Sequence, residues 1–148
     1  MNTQYESLEQ IEAIVQGFEM CSLSKADFIH RNHLTVAVWY LKYNSFADAA
    51  ALMRAGLLRF IKHHDVPREK YNETITMFWL KAVQALIERG RLSQPEGVEE
   101  DLVNLTNQLL HDYQNPGLVF EYYSREVISS PAAKSGWVEP DVKPFDLW

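Results

Sequence analysis

Ile75-Thr76-Met77-Phe78-Trp79-Leu80-Lys81-Ala82-Val83-Gln84-Ala85-Leu86 is the stretch whose spacing decides the fold. Ile75, Phe78, Trp79, Ala82, Val83 and Leu86 recur three and four apart, which lays one apolar stripe along a helix. The pattern predicts a helix from about Tyr71 to Arg89, with Gly90 placed as its C-cap. Outward from it, three earlier segments repeat the period, each behind a start signal. Ser7 with Gln10 reads as a capping box before Ile11, Ile14, Val15 and Phe18, a helix weakened near its end by Gly17. Ser24 with Asp27 is a second box, ahead of Leu34, Ala37, Val38 and Leu41. Ser45 with Asp48 is a third, leading into Ala49–Ile61 and ending before Val66-Pro67, with His63 and His64 at its negative end.

On the C-terminal side Ser93 reads as the cap of a fifth helix, with Pro95 and Glu96 in its first turn and Val98, Leu102, Leu105, Leu109 and Leu110 following. Asn115-Pro116-Gly117 then turns the chain. Residues 118–124 are ambiguous between a short helix and a strand, and Ser130-Pro131 predicts one or two helical turns. Beyond Gly136, Pro140 and Pro144 exclude regular helix. Trp137, Val138, Phe145, Leu147 and Trp148 nevertheless give that tail an apolar character. The expectation is an all-α, single-domain bundle of about five helices over residues 1–148. Its tail, 137–148, lies extended across the helices or across a partner subunit.

Composition narrows the function classes. The chain has 148 residues, 47% of them hydrophobic, enough for one domain with its own core. Its net charge of −6, with no basic run, lacks the electrostatic footprint of a nucleic-acid binder. Arg54, Arg59, Lys62 and Arg68 read as a solvated helix face. Cys21, the single cysteine, fits a reducing compartment and a packing role. The N-terminal residues do not resemble a signal peptide, and no run is apolar enough for a membrane span, so a cytoplasmic protein is expected.

The chemistry-bearing residues lie at two helix starts. His30 and His33 are the histidine pair spaced to share a helix face. At roughly 100° per residue, His30 falls on the face of Leu34, Val38 and Leu41, with Asp27 near it. His33 falls on the flank and Asn32 opposite. On the fourth helix Tyr71 and Asn72 point inward, Thr76 lies on the boundary and Glu73 points away, as a first-turn charge at the positive helix end. His30, His33, Tyr71 and Asn72 are therefore the candidate catalytic or binding residues. His30 with Asp27 would suit acid–base chemistry, with Tyr71 or Tyr123 as donor, although a capping role also accounts for Asp27. His30 and His33 are the weaker candidates for a metal, which would need further ligands such as Asp27, Glu73 or His111. Ser124, Ser129 and Ser130 read as turn or cap residues.

Phe28-Ile29-His30-Arg31-Asn32-His33-Leu34-Thr35-Val36-Ala37, Tyr71-Asn72-Glu73-Thr74-Ile75-Thr76, Tyr122-Tyr123-Ser124-Arg125-Glu126, Ser130-Pro131-Ala132-Ala133 and Trp137-Val138-Glu139-Pro140-Asp141 resemble an uncharacterised family of small bacterial helical proteins. The resemblance covers nearly the whole chain and implies no reaction or cofactor. In that family's pattern a histidine stands at position 72, which would complete a three-histidine cluster with His30 and His33. Here it is Asn72, a poor ligand for a transition metal. Three readings stay open: a small-molecule-binding protein with a pocket at His30, with or without turnover; a non-catalytic interaction module, a homo-oligomer included, that docks through its aromatic tail; and a metalloprotein using His30 and His33.

Overall fold

The computed structural model describes residues 4–93 and 101–147, and among these it contains seven α-helices, two short 3-10 segments and no strand. The helices are α1 (Leu8–Glu19), α2 (His30–Tyr43), α3 (Phe46–His63), α4 (Glu73–Ser93), α5 (Leu102–Asp112), α6 (Arg125–Ile128) and α7 (Pro131–Ser135). Helix α2 packs against α1, α3, α4 and α5, so it runs through the middle of the bundle. Its sequence suits that position, because Leu34, Val36, Ala37, Val38, Tyr40 and Leu41 are all buried and point to every side. The all-α bundle with a packed tail is the architecture that the period predicts. None of the described helices is long and apolar enough to cross a membrane.

The helix starts follow the capping residues unevenly. Ser45 accepts the Asp48 N–H at 3.1 Å and opens α3 as expected. Ser7 occupies the N-cap of α1 without making a side-chain cap bond, and Gln10 Oε1 accepts the Glu6 N–H instead. Ser24 does accept the Asp27 N–H, but that box closes only a turn, and α2 begins later, at His30. Helix α4 runs through Gly90 to Ser93, so Gly90 is no C-cap and Ser93 does not start the next helix. Pro95, Glu96 and Val98 lie outside the described residues. Asp101 is the N-cap of α5, accepting from the Val103 and Asn104 N–H groups. The ambiguous stretch after Asn115 is a 3-10 segment, Pro116–Glu121. Ser124 and Ser130 cap α6 and α7.

Two helices stop without glycine. Cys21 (φ 59°) and Asp65 (φ 58°) take the left-handed conformation just past α1 and α3. The Ser22 N–H then donates to the Gly17 carbonyl, and the Val66 N–H to the Ile61 carbonyl, which completes a Schellman closure at each end.

Helix α4 separates two apolar clusters. Leu80, Ala82, Val83 and Ile87 join the main core, whereas Phe78 belongs with Val119, Tyr122, Tyr123 and Ile128 under the tail. Thr74 clasps that tail: its Oγ1 donates to the Gly136 carbonyl at 2.7 Å and accepts the Val138 N–H at 3.2 Å. The Tyr123 hydroxyl donates to the Val138 carbonyl, the Val142 N–H to the Tyr122 carbonyl, and Phe145 packs edge-on to Phe78.

In the main core, Gly56 of α3 lies under the Phe18 ring. A Cβ there would stand 2.5 Å from Phe18 Cε2 and 2.6 Å from Cζ. Phe18 cannot retreat easily, because it stacks on Phe28 and Phe60. Gly56→Ala is therefore expected to destabilise the protein by about 1–3 kcal/mol through overpacking, despite the better helix propensity of alanine. Urea unfolding measures this, and an unchanged or raised midpoint would refute the close packing.

Candidate functional site

The four candidate residues gather at the junction of α2, α3 and α4, but not in one pocket. A cavity of about 220 Å³ lies there, bordered by His33, Tyr71, Asn72 and Thr76 among apolar neighbours such as Met53, Leu57 and Trp79. His30 faces a different cavity, of about 400 Å³, between the start of α2 and α5. Leu34 lines both, and Trp79, which lines the first, meets the His30 ring edge-on at 4.6 Å between centroids.

His30 lines a cavity, as the helical projection expects, and both histidines are part-buried. His33 is the more deeply held, its ring stacked on Phe28 at 3.9 Å. Burial, and secondarily the charge of His30, push its pKa down to about 4 against the pull of the Phe28 backbone carbonyl. His30 is half-buried, and burial lowers its pKa, while a hydrogen bond from Nε2 to the Tyr113 carbonyl at 2.8 Å opposes that shift. A carbonyl only accepts, so Nε2 carries the proton. Asp27 is not the partner of His30. It is exposed, and its backbone carbonyl receives the Asn32 amide at 2.6 Å. Asn32 itself is buried rather than pointing to solvent, because α2 has neighbours on that side too.

The start of α4 departs further from the helical projection. Glu73 is the first helical residue and is buried, not turned away. Arg54 clamps it through two bonds, Nε to Oε1 at 2.8 Å and Nη2 to Oε2 at 2.5 Å, and the Tyr71 hydroxyl donates to Oε1 at 2.5 Å. Burial pushes the Glu73 carboxyl up, but the bonds from Arg54 and Tyr71 outweigh it and leave the pKa below the ordinary value. Burial and the bond to Glu73 raise the Tyr71 hydroxyl to about 12. Asn72 is the cap of α4: its Oδ1 accepts the Ile75 N–H at 3.0 Å, and its Nδ2 donates to the Ile128 carbonyl at 2.7 Å. Tyr123 lies under the tail, bonded to Val138, and takes no part in either histidine cavity. His111 is exposed at the rim of the cavity that His30 faces.

Among the described residues no three His, Cys, Asp or Glu side chains converge as a metal site. The geometry thus defines a small helical bundle in which the start of α2 borders a mainly apolar cavity and a more polar one, with Leu34 lining both. No protein-family model, curated protein or solved structure matches this chain.

The depressed pKa of His33 makes stability depend on pH with a definite sign. Between pH 6.5 and about 4 the unfolded chain binds a proton at His33 that the folded chain refuses, so stability falls as pH falls through that window. The loss should reach roughly 2 kcal/mol between pH 7 and pH 5, with His30 adding in the same direction. In His33→Phe most of that slope should vanish. Urea titrations at the two pH values measure it, and equal slopes in both proteins would contradict a buried neutral imidazole.

Proposed function

We propose that the protein binds a small, mainly apolar molecule in the cavity between α2, α3 and α4, with His33 as the polar group that orients it. The neutral His33 ring in a mainly apolar wall is the observation that carries this reading. Apart from Lys70 at the exposed rim, the other polar groups there are committed: Tyr71 to Glu73, Asn72 to Ile75 and Ile128, and Thr76 to the Asn72 carbonyl. The Phe28 carbonyl favours an N–H on one nitrogen of His33 and leaves the other as an acceptor. An engineered apolar cavity of ~150 Å³ already holds benzene, so about 220 Å³ suits a substituted single ring. Binding is favoured over turnover, because an imidazole with a pKa of about 4 is a feeble general base at neutral pH. The aromatic tail is a weaker basis for a docking module, since Trp137, Phe145 and Leu147 pack on the protein's own helices.

Toluene and p-cresol differ by the hydroxyl that His33 would accept. In calorimetric titration p-cresol should bind at least about tenfold more tightly than toluene, and His33→Leu should bring the two together. Ala37→Leu, which fills the cavity wall, should abolish both. Absence of binding by either compound, or binding indifferent to Ala37→Leu, would reject the proposal.

A further inference from the structure

The cavity between α2 and α5 is the more polar of the two. Gln4, His30, Arg31, Asn107, His111 and Gln114 supply its polar border, and no carboxylate lines it. That is unusual company in a chain with 20 acidic and 14 basic side chains. Arg31 is held in place without being neutralised. Its guanidinium lies over the Tyr5 ring at 4.5 Å, and among the described residues no carboxylate pairs with it. The Tyr5 platform is itself fixed. Its N–H donates to Asn107 Oδ1 at 2.8 Å, its carbonyl accepts from Asn107 Nδ2 at 2.9 Å, and its hydroxyl meets Thr35 Oγ1.

His30 contributes a second oriented group. Its Nε2 donates to the Tyr113 carbonyl, so in the neutral ring Nδ1 is a lone pair that accepts, from a ligand's O–H and not from an anion. The first turn of α2 adds to the same field, since its cap residue, Ile29, provides no side-chain acceptor and the turn contains no acidic residue. We infer that this cavity binds a small oxyanion, a carboxylate or phosphate group, gripped by Arg31 and by the imidazole of His111, with His30 on its wall. The inference does not depend on the ligand of the apolar cavity, with which this one shares only the Leu34 wall.

The test is a nitrogen–proton NMR titration of the full chain with inorganic phosphate and, separately, with succinate, at an ionic strength held constant with chloride. Saturable shifts at Arg31, His30 and His111 are expected with at least one anion. Saturation by phosphate alone or by succinate alone would support the site and assign its class. Arg31→Gln should weaken binding at least about tenfold and Arg31→Lys much less. Should Arg31→Gln lose its fold, His111→Gln, at an exposed position, should still weaken binding about threefold. Shifts linear in anion concentration, or saturation unchanged in the Arg31 and His111 variants, would overturn the proposal.

Discussion

Helix α2 enters a space bounded by α1, α3, α4 and α5, and so its polar side chains must find partners inside the protein. An unpaired buried polar group costs ~1–3 kcal/mol, which is a large share of the stability of a domain this size. Each polar residue on α2 meets that demand differently. Asn32 donates to the Asp27 carbonyl, Thr35 donates to the Arg31 carbonyl and accepts from Tyr5, and His30 donates to the Tyr113 carbonyl. The Asp27 and Tyr113 carbonyls belong to the turn before α2 and to the end of α5, segments with few repeating backbone bonds of their own. Satisfying α2 therefore also fixes the path of the chain around it.

The two cavities follow from the same enclosure. Although His30 and His33 are three apart on one helix, each lines its own space, with Leu34 common to both walls. On the α4 side the walls are apolar and the only charged lining residue is Lys70, at the exposed rim. On the α5 side amides, imidazoles and a guanidinium interrupt the apolar wall of Ile29, Leu34 and Leu110. One helix start thus serves two chemically different environments. The Arg54–Glu73–Tyr71 cluster fixes the edge of the first cavity by keeping Tyr71 bonded to a carboxylate that stays ionised.

Much of the architecture was legible in the sequence. The period of α4, the Ser45 cap, the Ser130-Pro131 start and the apolar tail all reported directly on what formed, because each is a local or one-faced signal. The failures have physical causes. A helix with four helical neighbours keeps little polar face, so Asn32, which the projection of α2 turns away from the core, is buried all the same. The helical phase was carried back through Asn72 and Tyr71, yet α4 begins at Glu73 and Tyr71 is extended (ψ 138°). Arg54, on another helix, then decided where Glu73 went. The stops at Cys21 and Asp65 carry no glycine and could not be seen. The cap role of Asn72 was visible in principle, since asparagine is among the preferred N-cap residues.

The clasp between Thr74 and the tail has a consequence for synthesis. Phe78 is wholly buried, and Phe145 and Leu147, some seventy residues further along the chain, cover it. Chains emerge from the ribosome vectorially, at ~5–20 residues per second. For several seconds the helices up to α4 can be assembled while the outer face of α4 stays bare. During that interval the nascent chain presents an aromatic surface that the finished protein conceals. That surface is where a chaperone would grip and where neighbouring chains on a polysome would first adhere.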